Sequence, residues 1–209
     1  MRQTSRQRWN DEASQLSSGS VQHHTLALKY VLRRLLEKRH AKVLDLGAAI
    51  GPNVSFLGRY APKLYIADLY NTLKSRPGGL PKDRKKLDRL LSKELPSSDL
   101  GPFDLILAWD LLNYLTGEQM AALGEHLVRI CRRDSLVFAL ITNAKEMPTE
   151  PIRFRIIDND TLSYTIDSDL GRPSPLFKES DLNRRLPDFE VETSFLLRNG
   201  LQEYVLLHP

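Results

Sequence analysis

The sequence of 209 residues predicts an α/β fold, a three-layer sandwich in which helices cover both faces of a mostly parallel β-sheet. One observation is the order strand, glycine turn, helix, strand over residues 41–68. This order is a βαβ unit, in which the strands are parallel and the crossover is right-handed. The other observation is a pair of continuous apolar segments, "FDLILAWD" (103–110) and "SLVFALIT" (135–142), which are typical of strands buried on both faces.

The helices are predicted from apolar residues at helical spacing and from signals at the helix ends. Pro52 suits the first turn of the helix that follows the glycine turn. Thr116 and Gln119 fit the capping box that opens a strongly amphipathic helix. The predicted helices cover residues 21–39, 52–61, 82–95, 116–133 and 178–186.

The strands are predicted from short apolar or alternating runs that end at turn residues. Two closing strands meet at Asn199-Gly200, which favours an antiparallel hairpin. Two alternating segments within residues 154–167, on either side of "DND", predict a second hairpin. The other strands are predicted over residues 41–47, 63–68, 103–110 and 135–142.

The chain is predicted to form one domain over residues 21–209, with the second hairpin inserted around residues 143–180. Residues 1–20 are polar and predict a flexible N-terminal arm. No apolar run approaches the roughly 20 residues that a bilayer crossing needs, and no signal peptide is recognised, so a cytoplasmic location is expected. The single cysteine, Cys131, excludes an internal disulfide and a cysteine-based zinc site, and no metal is predicted.

Two stretches concentrate positive charge, "RRLLEKRH" (33–40) and "KDRKKLDR" (82–89). Basic clusters can bind phosphates, so nucleic acid stays open as a partner. The favoured interpretation is a solvated helix face, because no aromatic residues alternate with these charges to stack on bases.

The glycine turn "VLDLGAAIGPN" (43–53) lies where open α/β sheets bind ligands, at the carboxyl end of a strand. A dinucleotide fingerprint G-x-G-x-x-G starting at Gly47 would need glycine where this chain has Ala49 and Pro52. Asp45 would also repel a pyrophosphate. S-adenosylmethionine carries a positive sulfonium and a positive ammonium group and no phosphate, so an acid beside the turn favours it.

The stretch "VLDLGAAIGPNVSFL" resembles motif I of the class I S-adenosylmethionine-dependent methyltransferases, [D/E]-x-G-x-G-x-G, with Ala49 in place of the middle glycine. Residues 101–142 resemble the fourth strand of that family, its following loop and helix, and the fifth strand. The resemblance covers residues 25–209 and implies a Rossmann-like sheet of seven strands that ends in an antiparallel hairpin. The third strand of the family has no clear equivalent in residues 70–101.

The resemblance implies S-adenosylmethionine as cofactor and methyl transfer to an O, N, S or C atom of a small molecule or a macromolecule. Asp68 matches the acid that accepts the ribose hydroxyls, since a carboxylate offers two acceptor oxygens. Asp110 is the candidate catalytic residue, and its alternative role is a cap of the following segment. The cofactor-binding residues implied are Asp45, Gly47, Ala49, Gly51, Asn53, Asp68, Leu69 and Trp109.

Two points stay open at the level of the sequence. Asp83, Asp88 and Asp99 are candidates for adenine recognition, and none is distinguished from the others. The weak resemblance over residues 70–101 also favours an alternative function, in which a degenerate methyltransferase fold binds the cofactor or a partner without transferring a methyl group.

Overall fold

A six-stranded mixed sheet forms the centre of the computed structural model, which describes residues 20–75, 80–165, 170–197 and 200–209. The predicted N-terminal arm, apart from Ser20, and the predicted hairpin residue Asn199 lie outside the described residues. None of the helices in the described part of the chain has both the length and the apolar character that a bilayer crossing requires.

Helices separate the strands in the first two thirds of the chain, whereas the last third consists mainly of strands. In chain order the strands are β1 (Val21–His24), β2 (Lys42–Asp45), β3 (Lys63–Ile66), β4 (Phe103–Trp109), β5 (Cys131–Thr142), β6 (Glu146–Pro148), β7 (Arg153–Asp158), β8 (Thr161–Thr165), β9 (Leu170–Pro173), β10 (Glu190–Leu196) and β11 (Leu201–His208). The helices are α1 (Leu26–Leu36), α2 (Gly51–Leu57), α3 (Leu69–Lys74), α4 (Arg84–Glu94), α5 (Gly117–Ile130) and α6 (Glu179–Arg185).

The main sheet has the strand order β10–β11–β5–β4–β2–β3. Strands β3, β2, β4 and β5 are parallel, whereas β11 is antiparallel to both β5 and β10. All seven residues of β4 are buried, as the continuous apolar segment predicts for a central strand. The α/β class, the parallel centre and the antiparallel closing hairpin are therefore confirmed.

The expected count of seven strands is not confirmed, because the main sheet that the structure describes has six. The chain leaves β3 and forms α3 and α4, and residues 98–100 form a short 3-10 turn before β4. No strand lies in the described residues between β3 and β4, so β3 becomes the edge of the sheet. The physical reason is local: α4 is rich in Lys, Arg and Leu at helical spacing, and Asp83 caps its N-terminus through the backbone N–H of Lys86.

The first predicted helix is also corrected. Residues 21–24 form β1, and α1 begins only after Thr25, whose hydroxyl oxygen accepts a hydrogen bond from the backbone N–H of Leu28. Strand β1 pairs with β8, which lies about 140 residues later in the chain. The capping box at Thr116 and Gln119 is confirmed: the Thr116 hydroxyl accepts the Gln119 N–H, and the Gln119 side chain accepts the Thr116 N–H.

A small antiparallel sheet, with strand order β1–β8–β7, lies at the carboxyl edge of the main sheet. Strands β7 and β8 are the hairpin that the alternating pattern around "DND" predicts. Strand β7 lies at the edge of the small sheet and packs against α2, the helix that follows the glycine turn. The small sheet thus covers the end of the main sheet where a ligand is expected.

Candidate functional site

Asp45, the last residue of β2, shapes the glycine turn through its carboxylate. Its Oδ1 accepts hydrogen bonds from the backbone N–H of Gly47 at 2.9 Å and from the indole N–H of Trp109 at 2.7 Å. Burial raises the pKa of Asp45 to about 6, against the lowering effect of these two hydrogen bonds. No Lys or Arg among the described residues pairs with it. The edge of the sheet therefore contains a buried carboxyl group that lacks a cationic partner.

The two glycines of the turn have different surroundings. A Cβ atom at Gly47 would lie 2.6 Å from Cδ1 of Trp109, so the indole rests where any larger residue would need space. A Cβ atom at Gly51 would meet no atom of the described residues within 4 Å. Packing of the protein itself therefore requires glycine at position 47 and does not require it at position 51.

Asp68 lies two residues after β3, at the same edge of the sheet as Asp45. The two positions are tied together by the backbone hydrogen bond from Ala67 N–H to Asp45 O, at 2.8 Å. The Asp68 carboxylate is partly exposed and caps α3, where its two oxygens accept the backbone and side-chain N–H groups of Asn71 at 2.9 and 2.6 Å. The structure thus gives Asp68 a capping role, and its role toward a ribose stays a prediction.

Three other residues expected at the cofactor have distinct positions in the structure. Asn53 is 2% exposed, and its amide bonds to the backbone of β7, donating to Phe154 O and accepting from Ile156 N–H, both at 2.8 Å. Ala49 is exposed in the turn. The side chain of Leu69 is buried in the core, and only its backbone, bonded to Leu46 O, lies at the edge.

Asp110 is fully buried behind the site. Its carboxylate accepts hydrogen bonds from the Tyr70 hydroxyl and from the backbone N–H of Ile152, the latter at 2.9 Å. Burial raises the pKa of Asp110 to about 7, although both hydrogen bonds lower it. The Asp110 side chain does not cap the 3-10 turn that follows it, which was its alternative predicted role. Asp110 therefore holds Tyr70 and the segment before β7 in place.

A small hollow lies beside the glycine turn. Sequence reasoning named three of its nine lining residues and missed six. Ala48 and Ile50 lie in the glycine turn beside the predicted residues. The other four, Tyr70, Ile152, Arg153 and Phe154, come from α3 and from the inserted segment. The only available signal was the hairpin predicted around residues 143–180, which has no counterpart in the predicted alternation of strands and helices. The hollow is lined by Gly47, Ala48, Ile50, Asn53, Tyr70, Trp109, Ile152, Arg153 and Phe154.

The candidates for adenine recognition do not meet at this hollow. Asp83 caps α4, Asp88 forms an ion pair with Arg84 on the same helix, and Asp99 lies in the exposed 3-10 turn before β4. None of the three lines the hollow. The described contacts of Asp83 and Asp88 are those of a solvated helix.

No protein-family model matches the chain, and no match was found among curated proteins. Among solved structures, the fold is similar to an S-adenosylmethionine-dependent methyltransferase from Clostridium acetobutylicum, with 13% identity and a TM-score of 0.50, covering 86% of this chain and 89% of that one. The PH0226 protein from Pyrococcus horikoshii is 14% identical, with a TM-score of 0.49 and coverage of 87% and 88%.

The pyocyanin biosynthetic protein PhzM is 17% identical, with a TM-score of 0.48. The match covers 88% of this chain and 55% of PhzM, so the chain spans about half the length of that protein. The match to the Clostridium structure covers most of both chains, and at this identity it shows the fold alone. The chain therefore has the fold of an S-adenosylmethionine-dependent methyltransferase.

Proposed function

We propose that this chain binds S-adenosylmethionine and transfers its methyl group to an acceptor. The observation that carries the proposal is the pair of buried carboxyl groups, Asp45 and Asp110, at the carboxyl edge of a sheet with the methyltransferase fold. Neither has a Lys or Arg partner among the described residues. A positively charged sulfonium or ammonium group gains from such an environment, whereas a pyrophosphate is repelled by it.

The chemistry of the residues at this edge fits the cofactor. Asp68 offers two carboxylate oxygens for two ribose hydroxyls, and the backbone of the turn from Gly47 to Gly51 lies open for a ligand at Ala49. When bound, the cofactor would supply an electrophilic methyl group, and the chain would supply orientation and exclusion of water. Asp110 would act on an acceptor only through Tyr70, because Tyr70 lines the hollow and Asp110 lies behind it.

The described space is smaller than the chemistry requires. The hollow has room for little more than a water molecule, because Trp109 fills the space over Gly47. Binding of the whole cofactor therefore requires Trp109 and its neighbours to move.

The acceptor is proposed to enter beside the inserted hairpin, whose Arg153 and Phe154 line the hollow. Arg153 is exposed and lies in the hollow's lining, so it favours an acceptor that carries a negative charge near the reacting atom. Both a small molecule and a nucleic acid meet this condition. A screen of acceptors with methyl-labelled S-adenosylmethionine, read by mass spectrometry, distinguishes them.

Isothermal titration tests the cofactor directly. We expect S-adenosylmethionine and its demethylated product to bind, and NAD(H) not to bind. Binding of NAD(H) alone would contradict the proposal. Binding of S-adenosylmethionine without transfer to any acceptor in the labelled screen would support the alternative function, a cofactor-binding module.

A substitution at the ribose acid makes the test specific to the site. We expect Asp68→Ala to weaken binding of S-adenosylmethionine by about 1–3 kcal/mol, the cost of leaving hydroxyl partners unsatisfied. Asp83→Ala is the matched control, because Asp83 caps α4 through Lys86 N–H at 2.9 Å just as Asp68 caps α3 through Asn71 N–H. Equal affinity of the two folded variants would remove Asp68 from the site.

A further inference from the structure

Trp109 fills the space over the glycine turn in a conformation that costs free energy. Its backbone φ of 48° lies in the left-handed region, which is unfavourable for a bulky residue and is often found where structure is coupled to function. Its indole N–H donates to Asp45, and its ring lies nearly parallel to the ring of Phe154, with centroids 5.8 Å apart and 7° between the planes. Both rings are 3% exposed.

Phe154 belongs to a segment that is fixed by the side chains of three residues outside it, Tyr114, Asp110 and Asn53. We call residues 150–156 the strap. The Tyr114 hydroxyl donates to Glu150 O at 2.7 Å, and the Asp110 carboxylate accepts Ile152 N–H. The amide of Asn53 bonds to Phe154 O and Ile156 N–H.

The hydrogen bonds of Asn53 show how the strap is held closed. Strand β7 is an edge strand of the small sheet, so no strand of the described part of the chain pairs with one side of its backbone. The Asn53 amide supplies one donor and one acceptor to that side, as a paired strand would. This contact is made by a single side chain, so the strap is held to α2 by two hydrogen bonds that a small displacement would break.

We propose that Trp109 and Phe154 form an aromatic plug that closes the cofactor cleft, and that Asn53 is the latch of the strap that carries Phe154. This inference rests on the proposed function, since the plug occupies the space that S-adenosylmethionine would need. Because only the open fraction of the molecules binds ligand, any change that loosens the plug increases the apparent affinity. A residue that contacts the cofactor would give the opposite result when it is removed.

The test uses the full chain carrying Trp9→Phe, which leaves Trp109 as the single tryptophan, because the sequence contains two. S-adenosylmethionine is titrated while Trp109 emission and its quenching by acrylamide are recorded. We expect the cofactor to change the emission of Trp109 and to increase its quenching. We expect Asn53→Ala and Phe154→Leu to bind S-adenosylmethionine roughly three- to tenfold more tightly than the parent.

Phe154→Leu keeps both hydrogen bonds of Asn53 and carries the test if Asn53→Ala does not fold. Phe189→Leu is the matched control, because Phe189 is 2% exposed and packs against His208 at the far end of the sheet. We expect it to bind like the parent. A result in which the loosened variants bind S-adenosylmethionine and the parent does not would also support the plug. It would mean that the cleft is closed in almost all molecules of the parent.

Two results would overturn the inference, and they separate it from the proposed function. If S-adenosylmethionine binds the parent while Trp109 emission and quenching stay constant, or if Asn53→Ala weakens binding tenfold, the plug is wrong and the cofactor assignment stands. If neither the parent nor any variant binds, although quenching shows that Phe154→Leu exposes Trp109, both the plug and the proposed function are wrong.

Discussion

Strand β4 has a buried carboxylate at each end, and the two are held in different ways. Asp104, at the amino end, is 2% exposed and pairs with the guanidinium of Arg132 and with Lys38, whose Nζ lies 3.5 Å from Oδ1. Asp110 directly follows the carboxyl end, is also 2% exposed, and accepts hydrogen bonds from neutral groups only, Tyr70 and Ile152 N–H.

The difference separates an ion-paired end of the sheet from the end at which we propose the function. A buried charge is unfavourable unless it is paired, and the amino end supplies two cations for one carboxylate. At the carboxyl end no Lys or Arg of the described ranges pairs with Asp45 or Asp110, and burial raises their pKa values to about 6 and about 7. Groups with such raised pKa values cluster at functional sites. A cationic ligand entering there would supply the charge that the protein lacks.

The largest expected effect is at the amino end. Arg132→Ala removes the main partner of a buried carboxylate, and we expect it to lower the free energy of unfolding by about 2–4 kcal/mol. Urea unfolding followed by circular dichroism measures the loss. The exposed neighbour Arg133 is the control, and Arg133→Ala should change stability by less than about 0.5 kcal/mol. Similar effects of the two substitutions would mean that the amino end does not depend on this ion pair.

The second effect is a pH dependence at the carboxyl end. The folded pKa of Asp110 is raised to about 7, above its unfolded value, so the folded state holds this proton longer than the unfolded state. Stability linked to Asp110 is therefore highest at low pH and is lost as the pH rises from about 4 to about 7. Asp110→Asn cannot ionise and escapes this loss.

Urea unfolding of both proteins at pH 5 and pH 8 measures the effect. Asp110→Asn gives up one hydrogen-bond acceptor, so we expect it to be less stable than the parent at pH 5. The deficit should shrink by about 1–3 kcal/mol at pH 8. Asp104→Asn is the comparison from the other end, and it should be destabilising at both pH values because Arg132 and Lys38 lose their partner. A constant deficit for Asp110→Asn would show that Asp110 is not held in its protonated form.

The parts of the fold that sequence reasoning predicted correctly are those fixed by local pattern. The βαβ unit, the capping box at Thr116 and the closing hairpin each depend on residues that are near one another in the chain. Strand β1 was missed because its partner β8 is remote, and "VQHH" has no signal of that pairing. The seven-stranded sheet was expected from the resemblance, whereas the residue pattern over 70–101 predicted no strand. The structure shows no strand in the described residues of this stretch, as the residue pattern predicts.

The candidate site was predicted only in part, for a similar reason. Asp45 and Gly47 follow from the turn at the end of a strand, and the structure brings them together with Trp109. The hollow also depends on Tyr70 and Phe154, which come from α3 and β7. Only tertiary structure brings these elements together, so no spacing in the sequence could indicate them.

The smallest expected effect concerns Gly51. The packing of the described residues does not require glycine at this position, so a bound ligand is the remaining reason for it. No described atom lies within 4 Å of a Cβ atom there, and Gly51 is the first residue of α2, so we expect Gly51→Ala to stabilise the fold by about 0.4–1 kcal/mol. Gly117→Ala is the matched control, because Gly117 opens α5 and its Cβ would lie 3.5 Å from the Arg185 guanidinium, an ordinary contact. Thermal unfolding should show a gain of stability for both variants.

Titration with S-adenosylmethionine then separates the two glycines. If the cofactor passes close to the turn, the added methyl group of Gly51→Ala weakens its binding, whereas Gly117→Ala leaves binding unchanged. Gly51→Ala could be more stable than the parent and bind the cofactor more weakly. That result would mean that glycine at position 51 lowers stability but leaves space for a ligand. The buried carboxyl groups of Asp45 and Asp110 would then be a second case of the same trade at this end of the sheet. Unchanged affinity in Gly51→Ala would instead place the cofactor away from the second half of the turn, and motif I would then bind it through the Asp45 end alone.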